Sequence, residues 1–188
     1  MAKTHQSLRG QLLLDGGKLS GSVFHRSVVL ICQHDLEGAF GLILNQPTPR
    51  KLGQVMDVDL PESLENHKLF HGGPVQESAL SFLHGDPLMK SGQGNVLPDL
   101  SVGHDVEELA ALGRGLTLAR KIRVFAGYAG WAPGQLDDEM RRESWLLHPA
   151  SRELVFHTAK DLWQHILRLK GDWQSRLLAD SPEDLSWN

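Results

Sequence analysis

The sequence predicts an α+β domain built on a bent, mostly antiparallel sheet with flanking helices. Short apolar runs joined by loops rich in Gly, Asp and Pro outnumber the helical stretches. Consecutive strands with short connections favour antiparallel pairing, whereas regular alternation of strands and helices would favour a parallel sheet. The length of 188 residues, with no linker or internal repeat, fits a single domain over residues 1–188.

Composition and charge narrow the class of protein. Apolar residues make up 40% of the chain and charged residues 22%, which is typical of a globular protein. The net charge is −4 and basic residues occur at most in pairs, so nothing indicates a nucleic-acid surface. No apolar run approaches the roughly 18 residues of a membrane span, and the N-terminus has no signal core. We therefore expect a cytoplasmic protein that does not contact membranes.

The first half of the chain is predicted to be rich in strands. Residues 12–14 form a first strand, and the β-branched run at residues 27–33 is expected to be central. Residues 39–44 follow after a five-residue loop and complete a hairpin, which the prolines at residues 45–49 stop. The next predicted elements are a short helix or irregular stretch at 52–64, strands at 68–71 and 79–84, and a weak strand region at 95–102 broken at Pro98.

Helix signals appear in the second half. Asp105 followed by Glu108 has the spacing of a capping box, so a helix is expected to begin there and to end at Gly113 or Gly115. Residues 121–126 are predicted to be a strand that feeds a glycine-rich turn. Pro133 suits the start of the next helix, whose acidic residues 137–139 meet the positive end of its dipole.

The C-terminal part is predicted to contain a hairpin and a final helix. Residues 145–147 and 154–156 are the candidate hairpin strands. Thr158 is the expected cap of the helix, and Gly171 its end. The apolar stripe of this helix consists of Leu162, Trp163, Ile166 and Leu169. The polar tail from Asp180 is expected to be loose.

Four segments, taken in order, resemble the YqgE/AlgH family of bacterial proteins. They are FHRSVVLICQH at 24–34, EGAFGLILNQP at 37–47, GGPV at 72–75 and GYAGWAPGQL at 127–136. The resemblance covers about residues 10–172. It departs at Asp15-Gly16-Gly17, where family members often have a small apolar residue and proline, and in the tail from Asp172.

The resemblance implies a bifurcated sheet that curls toward a pseudo-barrel, with helices packed outside. Some family members are labelled transcriptional regulators, which implies a regulatory role. The resemblance implies no established reaction and no catalytic residue.

The glycine-rich motif is the main candidate for a site. Its glycines at 127, 130 and 134 match neither a dinucleotide fingerprint nor a P-loop, and the acidic residues that follow would repel phosphate. Two interpretations stay open: a close-packed corner, or a recognition surface with Tyr128 and Trp131 as anchors. If the Gly72-Gly73-Pro74 turn abuts this motif, the two would form one concave site. The candidate binding residues are Gly72, Gly73, Pro74, Tyr128, Gly130, Trp131 and Gln135.

The histidines, the cysteine and the serines are better explained by structural roles than by catalysis or metal binding. His34, His71, His84 and His104 end predicted strands, but they lack the short spacing of metal ligands. Cys32, the only cysteine, lies in an apolar strand and is expected to be a small core residue. No serine sits in a G-x-S-x-G motif, so no nucleophile is indicated. We expect no metal and no cofactor.

The sequence therefore favours a non-enzymatic protein that binds an unknown protein partner or small ligand. The alternative is an enzyme of unknown reaction with its site between the Gly72-Gly73-Pro74 turn and the Gly127–Gln135 turn. A direct DNA-binding repressor is the weakest class.

We expect the protein not to bind duplex DNA specifically, because it is acidic and has no recognisable helix-turn-helix or basic arm. Specific complexes have dissociation constants of about 10⁻⁸–10⁻¹¹ M at physiological salt. Fluorescence anisotropy with labelled duplexes measures this directly. Sequence-selective binding in that range would contradict the prediction.

Overall fold

The structure is a computed structural model that describes residues 6–85, 94–114, 121–157 and 160–182. The strands are β1 (Gln11–Asp15), β2 (Val28–Asp35), β3 (Gly38–Ile43), β4 (Pro47–Lys51), β5 (Lys68–His71), β6 (Val75–His84), β7 (Asn95–Leu97), β8 (Leu100–Gly103), β9 (Ile122–Trp131) and β10 (Trp145–Pro149). The helices are α1 (Glu62–Glu65), α2 (Val106–Arg114), α3 (Gln135–Arg141), α4 (Arg152–Val155), α5 (Leu162–Lys170) and α6 (Trp173–Ala179). Within the described ranges, no helix is long and apolar enough to span a bilayer.

The strands form one curled, mainly antiparallel sheet with helices packed around it, which confirms the predicted fold class. The order along the sheet is β10-β1-β2-β3-β9-β6-β8-β7. β4 pairs with β5, and β5 in turn pairs with β9. The β5–β9 pairing is parallel, whereas the other described pairings are antiparallel.

β9 is the strand at which the sheet divides. Its residues 124–126 pair with β5 on one side and with β6 on the other, while its residues 129–131 pair with β3. Gly127 lies between these two stretches with a φ of +71° and redirects the strand. The predicted turn beginning at Gly127 is therefore wrong, because the strand continues to Trp131 and the turn comes only after it.

Two apolar layers cover opposite faces of the β1–β2–β3 region. On one face, α5 packs Trp163 and Ile166 into the cluster that contains Leu30 and Phe125. The Trp163 indole also donates a hydrogen bond to the Asp15 carbonyl at 3.0 Å. On the other face, α3 packs against a second cluster around Val29, Ile31, Trp131 and Trp145. Helices thus lie on both sides of the sheet end formed by β1 and β10.

Several sequence predictions are confirmed. β2 and β3 form the expected hairpin, and β2 is an interior strand. The Asp105 side chain accepts a hydrogen bond from the Glu108 N–H at 2.9 Å at the start of α2. The weak strand region divides into β7 and β8, and Gly171, with a φ of +76°, ends α5.

The predicted second hairpin is wrong. β10 pairs with β1 rather than with residues 154–156, which belong largely to the short helix α4. The Ser151 hydroxyl accepts a hydrogen bond from the Leu154 N–H and caps this helix. The apolar residues 154–156 were predicted as a strand and did not indicate a helix. The prolines at 47 and 49 do more than end the β2–β3 hairpin, since they lie in a strand of their own, β4. Among the described strands, β4 pairs with β5 alone, which suits residues that cannot donate to a ladder.

Other corrections concern helix ends. Leu169 is 55% exposed rather than part of the buried stripe, and α6 follows a helix that the sequence predicted to be the last. Pro133 precedes α3 in the turn, and Gly134 is the residue at the N-cap. The predicted cap Thr158 and the alternative helix end Gly115 lie outside the described residues.

We expect Gly127→Ala to destabilise the protein by about 3 kcal/mol or more. Alanine at a left-handed φ costs about 1–2 kcal/mol, and its Cβ would also collide with the Gly73 carbonyl. Gly134→Ala is the matched control, because Gly134 has a φ of +73° but open space around its Cβ, so only the conformational cost remains. Urea melts give both free energies of unfolding.

Gly130→Ala should be close to neutral in the same melts. Gly130 is not among the residues with positive φ, and its added Cβ would meet the Tyr128 ring at 3.2 Å and a Val75 methyl at 3.8 Å. Equal losses for the Gly127 and Gly130 variants would contradict our account of the division of the sheet.

Candidate functional site

The two glycine clusters meet where the sheet divides. The Gly72 N–H donates to the Ala126 carbonyl at 2.8 Å. A Cβ on Gly72 would collide with the Gly127 carbonyl, and one on Gly73 would collide with the Tyr128 backbone. The clusters therefore abut, as hypothesised, but they touch backbone to backbone and leave no room for a side chain at these positions.

The other candidates of this site are spread over different environments. Pro74, Gly130 and Gln135 are exposed, whereas Tyr128 is half-buried with its ring centroid 5.1 Å from that of Phe40. The structure thus brings Gly72 and Gly73 to the motif, but it does not gather all seven residues around one cavity. A role of these residues in binding a ligand or partner stays a prediction.

Trp131 is a core residue. It is 7% exposed, and its ring packs against Phe24 and Trp145 with centroid distances of 6.4 and 6.3 Å. Its indole N–H donates to Glu139 Oε2 at 2.9 Å, and the Trp145 indole donates to the same oxygen at 2.8 Å. This burial favours the interpretation of the motif as a packed corner over that of a recognition surface anchored by Trp131.

Glu139 therefore does more than complement the helix dipole. Its second oxygen, Oε1, accepts a hydrogen bond from the Gln135 amide at 3.1 Å. One half-buried carboxylate thus joins α3 to the last residue of β9 and the first residue of β10. The sequence predicted a solvated acidic helix start, and no local pattern indicated that the indoles of Trp131 and Trp145 would share this carboxylate.

Two of the four strand-end histidines line one cleft of about 1,080 Å³. His34 is buried, and its Nδ1 accepts a hydrogen bond from the Leu8 N–H at 3.1 Å. His104 is exposed, and its Nδ1 lies 3.0 Å from the Ser81 hydroxyl. Within the part of the chain that the structure describes, no group of three His, Cys, Asp or Glu residues could hold a metal ion.

Cys32 also borders this cleft but belongs to the core. It is 4% exposed and packs in the same cluster as Leu30. Burial raises the pKa of its thiol, so the reactive thiolate is disfavoured. The predicted role as a small core residue is confirmed. Ser81 is 3% exposed, so the hydroxyl beside His104 is shielded from solvent.

Arg123 is a buried cation that the sequence analysis did not single out. It is 5% exposed, and its guanidinium donates to the carbonyls of Leu44 and His157 at 3.0 and 2.8 Å. The guanidinium carbon also lies 4.6 Å from the Phe70 ring centroid. Burial lowers the pKa of Arg123 to about 10. Because these contacts join the end of β3 to the residues after α4, we assign Arg123 a structural role.

An apolar groove of about 850 Å³ lies along the edge strand β10, between the end of α3 and α6. Trp173 and Leu177 of α6 border it and are 71% and 67% exposed. Met140 and Leu147 contribute further apolar surface. The sequence analysis missed this groove because α6 was not predicted, although Trp173 and Leu177 have the i, i+4 spacing of one helix face.

The polar groups of the groove already have partners. The Lys18 ammonium donates to the Arg142 carbonyl at 3.1 Å, and the Lys170 ammonium donates to the Leu147 carbonyl at 3.0 Å. Asp172 caps α6, and hydrogen bonds from Ser175 lower the pKa of its carboxyl. The groove thus offers an apolar surface bordered by two basic groups, Lys18 and Lys170, and two acidic groups, Glu143 and Asp172.

Comparison with known proteins places the chain among relatives of similar length. A family model described as AlgH-like matches residues 12–174. A UPF0301 protein of Chlorobaculum parvum is 38% identical over 93% of this chain and 92% of its own length. A UPF0301 protein of Chlamydia trachomatis is 33% identical over 96% of this chain and 95% of its own length.

Two solved structures share the fold. The AlgH protein from Pseudomonas aeruginosa has a TM-score of 0.73 and 26% identity, covering 98% of this chain and 100% of that one. A protein from Corynebacterium diphtheriae has a TM-score of 0.74 and 22% identity, covering 97% of this chain and 95% of that one.

We expect Glu139→Leu to cost about 2–4 kcal/mol of stability, because two buried indole N–H groups would lose their acceptor. Glu139→Gln should cost less, since the amide oxygen still accepts. Glu143→Gln is the control and should be neutral, because the Glu143 side chain is 85% exposed. Urea melts followed by tryptophan fluorescence measure all three, and equal stability of the Leu variant would contradict the shared-carboxylate account.

Proposed function

The chain belongs to the AlgH-like family, and we propose that it is a non-enzymatic binding protein, as its sequence favours. We propose further that its partner is a polypeptide held in the groove between α3, β10 and α6. The observation that carries this proposal is the exposure of Trp173 and Leu177, at 71% and 67%, beside a groove of about 850 Å³. Contiguous exposed apolar surface marks interaction sites, and tryptophan is among the residues that contribute most to binding.

The groove fits a chain segment in size and in chemistry. Its volume lies in the range of about 300–1,000 Å³ that is typical of binding pockets. Its ionic groups are engaged by backbone groups or by neighbours, as in the 3.8 Å contact between Lys18 and Glu143. An apolar surface bordered by such satisfied polar groups resembles the core and rim of a protein interface.

A regulatory role would be exerted through this partner rather than through DNA. The net charge of −4 opposes a close approach to phosphates, and the exposed apolar surface offers an alternative means of recognition. We also assign the protein to the cytoplasm. The single cysteine, which can form no internal disulfide, supports a reducing compartment.

The test is selection of binders from a phage library of random twelve-residue peptides displayed with free C-termini. We expect enriched peptides to be rich in apolar residues and to lose affinity about tenfold or more for Leu177→Glu, because this change places a charge in the apolar groove. Trp173→Ala should weaken the same peptides. Circular dichroism should show both variants folded, since the two side chains are largely exposed.

Leu36→Ala is the matched control. Leu36 is 73% exposed, but it lies in the loop between β2 and β3, remote from the groove in sequence and not among the groove-lining residues. The Leu36→Ala variant should bind the enriched peptides with an affinity within about twofold of that of the wild type. The proposal fails if no peptide is enriched, or if the enriched peptides bind the Leu177 and Leu36 variants equally well.

A further inference from the structure

The geometry points to the kind of segment that the groove holds: the C-terminal end of another protein, added as a short strand to the open edge of β10. This inference rests on the proposed binding role and specifies its partner. It requires free backbone groups on β10, space on both sides of a new strand, and a reason for the bound chain to end in the groove. Each is present among the described residues.

The first requirement is met by the direction of the β10 backbone. The Gly16 N–H bonds to the Ser144 carbonyl at 3.2 Å, and the Ala150 N–H bonds to the Gly10 carbonyl at 3.1 Å. Backbone groups alternate in direction along a strand, so the even-numbered residues from 144 to 150 face β1. The N–H and C=O groups of Trp145 and Leu147 consequently point away from β1. In the described part of the sheet, β10 pairs with no other strand.

The second requirement is met by the placement of the helices. The groove is bordered by Met140 and Glu143, from the end of α3, and by Trp173 and Leu177, from α6. These two helices pack on opposite faces of the sheet, so the groove between them continues the plane of the sheet beyond β10. A further strand would lie about 4.8 Å from β10, within this space.

Lys170 supplies the third requirement. Its ammonium donates to the Leu147 carbonyl at 3.0 Å and so occupies the next acceptor along the edge. Pro149 has no N–H to offer beyond that point. Among the described residues, the outward groups that stay available are the N–H and carbonyl of Trp145 and the Leu147 N–H. Of these, the Trp145 carbonyl and the Leu147 N–H together bind one residue of an added parallel strand.

A chain that continued past this residue would need the carbonyl that Lys170 occupies. A chain that ends there instead places its terminal carboxylate beside the ammonium, which forms a charge-assisted hydrogen bond. Glu143 and Asp172 also border the groove, but it is the Lys170 ammonium that lies at the end of the open edge. Charge complementarity at this position favours a C-terminus over an internal segment. Trp173 and Leu177 lie beside the same path, so the last residues of the partner should be apolar.

The experiment uses an enriched peptide from the free C-terminus library in two forms, the acid and the C-terminal amide. Isothermal titration calorimetry measures both against the wild-type protein, Lys170→Met and Lys18→Met. We expect the amide to bind about tenfold or more weakly than the acid to the wild type, because it lacks the charged acceptor. Lys170→Met should weaken the acid equally and abolish the difference between the two forms.

Lys18→Met is the matched control, because Lys18 borders the same groove but donates to the Arg142 carbonyl rather than to β10. It should bind the acid within about twofold of the wild type. Amide hydrogen exchange by NMR gives an independent readout: the Leu147 N–H should become protected on binding. The NMR spectra also verify that each variant is folded.

The possible failures can be told apart. If peptides bind in a Leu177-dependent manner but acid and amide bind alike, a C-terminal partner is excluded while the proposed function stands. If the Leu147 N–H is not protected by the bound peptide, strand addition is excluded. If no peptide is enriched at all, the proposed function and the strand addition both fail.

Discussion

The close approach of two glycine clusters is the constraint on which the sheet depends. β9 can serve three neighbouring strands only because Gly127 turns its direction while Gly72 and Gly73 pass against its backbone. Side chains at these positions would hold the two backbones apart, and β5 would lose its place beside β9. The division of the sheet follows from this contact. The redirected end of β9 then carries Trp131, which donates to the shared carboxylate of Glu139 on α3.

Local patterns predicted the elements whose partners are near in sequence. The β2–β3 hairpin and the start of α2 at Asp105 needed only short-range signals. The errors arise where a distant partner decides the structure. β10 pairs with β1, which lies more than a hundred residues earlier in the chain. The apolar residues 154–156 are closer in sequence, and the hairpin prediction therefore paired them with β10 incorrectly. The candidate groove could not be predicted from local sequence patterns either, because it forms only when α6 packs beside the open edge of β10.

Sheet edges in this protein are treated in different ways. β4 carries two prolines and two basic residues, which suits a strand that should not recruit another chain. β10 has apolar residues at its centre, and within the described ranges the side chain of Lys170 covers its outer carbonyl at Leu147. Such a cover blocks unlimited strand pairing but leaves a short ladder open. In the proposed binding mode, the same lysine would serve both binding and protection from aggregation.

The central position of β9 also has a consequence for folding kinetics. Its partners β3, β5 and β6 precede it by roughly 40 to 90 residues, so each of these pairings joins segments that are far apart in sequence. During synthesis, the earlier strands leave the ribosome before the strand that joins them exists. Until β9 emerges, the edges of β3 and β6 are open to other chains, and this interval is the one in which a chaperone would have most effect.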